Sequence, residues 1–133
     1  MSTVIDQAVH ARLIATVPQS RDIPVNLRYD RADPFAVRLV FPPAASLDGA
    51  EAIWTFGRDL LEEGLRAPSG VGDVRIWPCG PEAVVVEFHT TDGMAMVRFG
   101  VRDLRDFLAR SYEVVAQGGE DMLLDFDALL GGA

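Results

Sequence analysis

The sequence predicts an α+β domain in which a mostly antiparallel sheet carries two helices on one face. Runs of alternating apolar residues, bounded by turn residues, recur along the chain and are typical of β-strands. Two amphipathic segments, Arg58–Arg66 and Arg102–Val115, each follow such a run. Asp92-Gly93 lies between two strand-like runs and is a strong hairpin signal. Neighbouring strands are therefore expected to pair antiparallel.

The strands are expected to end where turn residues cluster. The predicted strands are Val4–Thr16, Val25–Arg31, Ala36–Phe41, Ala52–Phe56, Val74–Trp77, Ala83–His89 and Ala95–Phe99. Proline, glycine and aspartate pairs fall between them, at Asp33-Pro34, Pro42-Pro43, Asp48-Gly49 and Gly80-Pro81. These pairs favour tight turns, so the intervening runs are short.

Each predicted helix has a charged side and an apolar side. The charged residues form i, i+4 ladders, Arg58–Glu62–Arg66 in the first helix and Arg102–Asp106–Arg110 in the second. The apolar sides comprise Leu60, Leu61 and Leu65, and Leu104, Phe107, Leu108 and Tyr112. We expect the apolar sides to cover the sheet and the ladders to face away from it.

An internal similarity links the two helix starts. Phe56-Gly57-Arg58-Asp59-Leu60 recurs, with one insertion, as Phe99-Gly100-Val101-Arg102-Asp103-Leu104. The shared strand-to-helix context and charge ladder favour two strands-then-helix repeats. The alternative is a chance likeness between two amphipathic helix starts.

Charge and composition narrow the classes of function. All basic residues are arginine, so Walker-type phosphate loops and Schiff-base chemistry, which need lysine, are excluded. The net charge of −8 repels a phosphate backbone and disfavours nucleic acid as the main partner.

The chain shows no feature of membrane insertion. Its longest uninterrupted aliphatic run is Ala83–Val86, far short of the ~20 residues that span a bilayer. Met1–Ala15 lacks the pattern of a secretory signal, and the lone Cys79 cannot form an internal disulfide. A cytoplasmic protein is expected.

Candidate catalytic and metal-binding residues are few. His10 and His89 each lie in a strand pattern, where a half-buried, hydrogen-bonded imidazole is the commoner role. Adjacent strands could bring Cys79 to His89 as a nucleophilic dyad, but a small inert cysteine is the preferred interpretation. No zinc site and no cofactor are expected.

Two further motifs favour turns over chemistry. Asp30 and Asp33 frame the turn before Pro34, where carboxylates usually accept backbone N–H bonds; a general acid–base pair is the alternative. Pro68–Asp73 resembles a phosphate loop but leads into a strand, so a plain turn is predicted.

Aromatic residues next to arginine raise a second possibility, a stacking surface for nucleic acid. Arg28-Tyr29 and Arg75-Ile76-Trp77 have that local pattern. Trp54 alternates with Phe56 on one strand, and Trp77 precedes proline, so we predict core packing for both tryptophans.

The C-terminal end changes composition. Residues 1–117 are predicted to form one domain, and residues 118–133 a tail with a short amphipathic helix. Leu123, Phe126, Leu129 and Leu130 have helical spacing, with Asp125 as an N-cap of the last turn. Docking back on the domain is the preferred interpretation, and binding a partner is the alternative.

Two strings follow one another in the chain. They are Leu27-Arg28-Tyr29-Asp30, followed by Asp33-Pro34-Phe35-Ala36-Val37, and the stretch Trp54–Pro78. In this order they resemble the SsgA-like family of sporulation and cell-division regulators of actinomycetes. The resemblance spans roughly Ile23 to Ala109. The positions that match the family signature are Tyr29, Asp30, Asp33, Trp54, Arg58, Asp59, Leu60, Leu61, Gly64, Gly70, Gly72 and Trp77. We interpret most of them as structural.

The resemblance implies a whirly-like fold of two sheet-plus-helix halves and assembly as a trimer. It implies a non-catalytic, cofactor-free regulator that recruits or positions the tubulin-like GTPase FtsZ at the division septum. Other partners would be paralogous SsgA-like proteins and membrane-associated division proteins. The resemblance marks no partner-binding residue, and single-stranded nucleic-acid binding on the same scaffold is the alternative function.

Overall fold

The computed structural model describes residues 4–14, 21–43, 50–91 and 93–120. In chain order the elements are β1 (Val4–Ile14), β2 (Arg21–Asp30), β3 (Ala36–Phe41), β4 (Ala52–Gly57), α1 (Arg58–Gly64), β5 (Val74–Cys79), β6 (Ala83–Thr90), β7 (Gly93–Gly100) and α2 (Val101–Val114). The predicted α+β class is confirmed.

All described strands form one seven-stranded sheet in the order β4-β3-β2-β1-β7-β6-β5. Every pairing is antiparallel. The strands β2, β3 and β4 lie on one side of β1, and β7, β6 and β5 lie on the other. Each of these triplets leads into a helix. That the two halves arose by duplication of one sequence stays a prediction.

The core lies on one face of the sheet, beneath the two helices. In β2, Ile23, Val25, Leu27 and Tyr29 are buried, and the intervening residues are not. Sheet register aligns such residues across strands, for example Leu39 between Leu27 and Trp54. The helices add Leu61, Leu104 and Phe107 to the same cluster. The apolar sides predicted for both helices therefore cover the sheet.

The sheet curls until strands far apart in its order meet. Trp54 on β4 contacts Phe88 on β6, with ring centroids 4.8 Å apart. Phe41 on β3 meets the same Phe88 edge to face at 5.7 Å. Helix α1 follows β4 and contacts β5, the strand at the other end of the order. The helix thereby lies across the seam between the two sheet edges.

Several element boundaries differ from the predictions. Strand β2 begins at Arg21 rather than Val25, because Ile23 and Val25 both face the core while Pro24 between them is exposed. Helix α1 ends at Gly64 rather than Arg66. The predicted end of the first strand, Thr16, and the predicted turn Asp48-Gly49 lie outside the described residues.

The second half of the chain agrees more closely with its prediction. Strands β6 and β7 pair antiparallel from Ala83↔Gly100 to Thr90↔Gly93, which confirms the predicted hairpin. Gly93 has φ +145°, a backbone region that favours glycine. Its predicted partner in the turn, Asp92, lies outside the described residues.

Candidate functional site

The loop between β2 and β3 is fixed by the first family string. Tyr29 is fully buried, and its hydroxyl donates to the Pro34 carbonyl at 3.0 Å. The Asp30 carboxylate accepts the backbone N–H of Ala32 at 2.9 Å, as the turn prediction requires. Asp33 instead forms an ion pair with Arg38 at 2.6 Å. The two carboxylates are thus engaged in the turn and in an ion pair.

Arg58, the first residue of α1, is completely buried (0% exposed). Its guanidinium carbon lies 4.8 Å from the centre of the Tyr29 ring and 4.6 Å from that of Tyr112. Aromatic faces attract a cation, and the attraction grows when water is excluded. The tyrosines therefore form a cage for Arg58, and the predicted exposed ladder is wrong at this position.

The same guanidinium fastens α1 to the end of α2. It donates to the carbonyls of Ser111 at 3.1 Å, Val115 at 2.7 Å and Ala116 at 3.4 Å. The Ser111 and Ala116 carbonyls also accept the backbone N–H of Val115 and of Gly119. Arg58 adds a charged donor at this C-terminus, where the helix dipole favours a cation. Arg58 acts as the cap of a helix more than fifty residues away.

Glu120 completes the cluster with a buried ion pair to Arg58 at 2.8 Å. Burial by itself raises the pKa of a carboxyl group. The hydrogen bond and charge of Arg58, together with backbone hydrogen bonds, outweigh that effect and hold the pKa of Glu120 below its ordinary value. We call Tyr29, Arg58, Tyr112 and Glu120 the arginine cage.

Burial also raises the pKa of both cage tyrosines. For Tyr112 the hydrogen bond that its hydroxyl donates to Glu62, at 2.9 Å, adds to the effect. Glu62 also accepts from Arg66 at 2.5 Å, which confirms that part of the predicted ladder. The Arg66 bond is the main reason why the pKa of Glu62 is lowered.

All three residues of the second ladder are exposed, whereas the first ladder begins with the buried Arg58. Arg102, Asp106 and Arg110 all face solvent on α2. Arg110 donates to Gln7 on β1 at 2.9 Å, and the Gln7 amide donates to the Asp103 carbonyl at 3.2 Å. Helix α2 is therefore tied to the sheet through Gln7.

The remaining helix and turn positions of the signature have distinct environments. Leu61 is buried, Leu60 packs partly against the core and Asp59 is exposed. A Cβ on Gly64 would lie 2.4 Å from Ile76, so only glycine lets α1 approach β5 this closely. Gly70 has φ +105°. Nothing in the structure explains glycine at position 72.

The two signature tryptophans have different roles. Trp54 packs partly against the core through Phe88, as predicted. The prediction of core packing for Trp77 is wrong, because it points to the face opposite that of the buried Ile76. Its indole N–H donates to Glu87 on β6.

The structure separates the residues of the nucleophilic dyad. Cys79 pairs with Ala83, at the opposite end of β6 from His89, so they are roughly 20 Å apart at ~3.3 Å per residue. His10 is exposed, against the half-buried role predicted for it. Among the described residues, no three His, Cys, Asp or Glu side chains could hold a metal ion together.

A cleft of about 420 Å³ lies beside the arginine cage. Its lining comprises Phe35, Asp59, Glu62, Glu63, Arg66, Gln117, Gly118 and Glu120. Phe35 belongs to the first family string but is 40% exposed. Sequence reasoning missed this cleft, because α1 and the segment after α2 meet only in the folded chain.

Neither described helix has the length and apolar character to cross a membrane. The candidate site therefore has three parts. They are the arginine cage, the turn that holds Asp30 and Asp33, and the cleft lined by Phe35 and charged side chains.

The part of the chain that matches known proteins includes the regions described above. Residues 23–120, which include the loop, the arginine cage and the cleft, match the family model described as Streptomyces sporulation and cell division protein, SsgA. Sporulation-specific cell division protein SsgB of Streptomyces coelicolor is 38% identical over 131 residues, covering 96% of this chain and 93% of that protein. SsgB of Saccharopolyspora erythraea is 41% identical over 117 residues, covering 85% and 81%.

The fold has a close solved counterpart. The crystal structure of an SsgA-like sporulation-specific cell division protein from Thermobifida fusca superposes with a TM-score of 0.86. The identity is 33%, and the match covers 99% of this chain and 98% of that one. The chain therefore belongs to the SsgA family of sporulation and cell-division proteins.

Proposed function

We propose that this protein is a non-catalytic regulator of sporulation-specific cell division. In this proposal it recruits or positions FtsZ at septum sites through protein–protein contacts, as an oligomer. The observation that carries the proposal is the family match over residues 23–120, joined by relatives named sporulation-specific cell division protein SsgB.

The cleft beside Phe35 is the partner surface that the geometry favours. It combines an exposed aromatic ring with Asp59 and Glu63, which are both exposed on α1. Aromatic anchors contribute strongly to interfaces, while surrounding charges set the choice of partner. The cleft therefore fits a segment that offers an apolar side chain flanked by basic ones.

Assembly of several copies would strengthen such a contact. Strand β4 lies at one end of the sheet order, and its Ile53 is 51% exposed. An edge strand of this kind needs covering, and self-association covers it. An oligomer also binds a polymer with avidity, so that weak single contacts act jointly. We expect a trimer, to be measured by light scattering during gel filtration.

The test is co-pelleting with FtsZ filaments from the same organism at physiological salt. The full chain is expected in the pellet, and recovery in the supernatant would contradict direct FtsZ binding. Phe35→Ala should weaken co-pelleting about tenfold or more, as expected for a hot-spot aromatic. Met94→Ala is the matched control, because it removes an exposed apolar side chain on β7, away from both the cleft and the β4 edge; an equal loss would contradict the assignment of the cleft.

Single-stranded nucleic-acid binding gains no support from the aromatic residues proposed for it. Tyr29 is caged with Arg58, Trp54 packs on Phe88, and the Trp77 indole is bonded to Glu87. Phe35 is exposed, but the cleft beside it is lined by four acidic side chains and one arginine. Affinity for a labelled oligonucleotide that falls steeply with salt would nevertheless revive this function, because it reports phosphate contacts.

A further inference from the structure

The end of β7 carries a depression on the sheet face that is turned away from the core. Arg98 alternates with the core residues Val97 and Phe99, so its side chain lies on that outer face. Arg12 is the Cα partner of Arg98 on β1, and both line a depression of about 470 Å³. This volume falls within the ~300–1,000 Å³ range of binding pockets.

The depression continues onto helix α2. Gly100, which carries no side chain, lines both this depression and an adjoining one of about 480 Å³. Arg102 and Arg105 of α2 line the adjoining depression. We call the two depressions together the β7–α2 groove. At ~3.3 Å per strand residue and ~1.5 Å per helix residue, Arg98 and Arg105 are roughly 15 Å apart along the chain.

The arginines of this groove occupy positions that the fold itself disfavours. Like charges directly opposite each other on neighbouring strands repel, as Arg12 and Arg98 do. Arg12 has an exposed counterion, Asp22, at 3.3 Å. Arg98 has no hydrogen bond or ion pair to another described residue. The same is true of Arg102, which lies in the first turn of α2, where the helix dipole repels a cation.

The composition of the chain does not account for unpaired arginines at these positions. Twenty acidic residues face twelve arginines, so carboxylates are abundant. Residues that break a local rule without internal compensation are typical of functional sites. An anion bound between Arg98 and Arg102 would supply the missing counter-charge.

The groove favours separate carboxylates over a chain of phosphates. Asp22, Glu82 and Asp103 also line it, and the net charge of −8 repels a polyanion. A guanidinium fork binds a single carboxylate through two parallel hydrogen bonds. The roughly 15 Å between Arg98 and Arg105 corresponds to four or five residues of an extended peptide at ~3.3 Å per residue.

We propose that the β7–α2 groove binds an acidic peptide segment of a protein partner, whose carboxylates pair with Arg98 and Arg102. The groove shares no lining residue with the cleft beside Phe35. The two surfaces also select opposite charges, because the cleft beside Phe35 suits a basic segment. The inference therefore depends neither on that cleft nor on FtsZ recruitment.

The test is fluorescence anisotropy of the full chain with a labelled hexaglutamate peptide. Hexaglutamine, which has the same backbone but no charge, should bind at least about tenfold more weakly, as should a thymidine hexanucleotide. Arg98→Gln and Arg102→Gln should each weaken hexaglutamate binding about two- to five-fold, the range of a single exposed ion pair.

Arg31→Gln is the matched control, because it makes the same change of charge at an exposed arginine that also has no partner among the described residues. Arg31 follows Asp30, the Cα partner of Val4, and so lies at the other end of β1, roughly 26 Å from Arg12. Hexaglutamate affinity should be unchanged by Arg31→Gln. All three variants should melt within about 3 °C of wild type, and Arg102→Gln decides the test if Arg98→Gln melts lower.

Three results would overturn the proposal. An equal loss for Arg31→Gln would show that bulk charge alone attracts the peptide. Tighter binding of the hexanucleotide than of hexaglutamate would assign the groove to nucleic acid. Equal binding of hexaglutamate and hexaglutamine, or no binding of either, would show that carboxylates are not recognised.

Discussion

At the scale of single residues, the buried Arg58 binds groups from distant parts of the chain. Its charge is shared between two tyrosine rings, three carbonyls at the end of α2 and the carboxylate of Glu120. An arginine suits this environment because its planar fork donates in several directions while its faces stack on rings. The Nε atom is the one buried donor of the cage without a partner among the described residues.

Replacing Arg58 should destabilise the fold strongly. Arg58→Ala leaves the buried Glu120 carboxylate without its cationic partner. Breaking a buried pair in this way costs about 3–5 kcal/mol. Arg58→Lys should lose less, since it keeps the charge but not the fork. The measurement is the free energy of unfolding in urea.

Arg102→Ala is the control for that series, because Arg102 stands at the start of α2 as Arg58 does at the start of α1, but is exposed. Its free energy of unfolding should change by about 0.5 kcal/mol or less. Equal losses for Arg58→Ala and Arg102→Ala would contradict the structural role of the arginine cage.

The ion pair of Glu120 predicts how stability depends on pH. The folded pKa of Glu120 lies below the ordinary value of 4.5, so its contribution is full above that pH. As the pH falls below that value the unfolded state takes up the proton first, so the contribution declines, and it is lost once the pH has fallen through the folded pKa. Glu120→Gln should therefore be less stable than wild type at pH 7, and the gap should narrow below about pH 4.5.

Urea unfolding at several pH values between 7 and 3 measures this gap. Glu113→Gln, an exposed position on α2, is the control and should stay within about 0.5 kcal/mol of wild type throughout. A gap for Glu120→Gln that stays constant down to pH 3 would show that the Arg58 pair does not carry the pH dependence.

At the scale of elements, close approach decides where α1 lies. The helix crosses the seam of the curled sheet and packs against β5, where Gly64 is in contact with Ile76. The turn after α1 then returns to β5, and Ser69 exchanges two backbone hydrogen bonds with Ile76, at 2.9 and 3.0 Å. Helix and turn together cover the outer edge of β5.

Gly64→Ala should therefore disturb the packing of α1 on β5. The new Cβ would lie 2.4 Å from two atoms of Ile76, and overpacking of this kind costs about 1–3 kcal/mol. Gly72→Ala is the matched control, since its Cβ would meet nothing within 4 Å. Thermal and urea unfolding of both variants measures the difference, and similar values for the two would contradict the close approach.

At the scale of the whole molecule, the curl of the sheet brings its two ends together. Phe88 on β6 receives Trp54 from β4 and Phe41 from β3, so the core is continuous across the seam. The same curl places α1 and α2 side by side, which creates the cleft beside Phe35 and a second depression lined by residues of both helices. The surfaces available to partners therefore depend on closure of the sheet.

Trp54→Ala should weaken this closure. Loss of the indole from its contact with Phe88 should cost about 3 kcal/mol, the lower end of the range for large aromatic residues because Trp54 is only partly buried. Ile53→Ala, on the same strand but facing solvent, should cost about 0.5 kcal/mol or less. If urea unfolding gives the two variants equal stability, the contact with Phe88 does not hold the sheet ends together.

The sequence by itself determined the α+β class, the order of strands and helices, the hairpin at Gly93 and the family. These features follow from local patterns, because apolar–polar alternation in strands and the apolar spacing of helices are both visible within a short stretch of sequence. Only the tertiary structure decided that Arg58 is buried while Arg102 is exposed, although both begin equivalent-looking helices. The partners of Arg58 lie more than fifty residues away, and the curl and register of the sheet bring them within reach. The same long-range geometry separates Cys79 from His89 and forms the cleft beside Phe35, which no local spacing encodes.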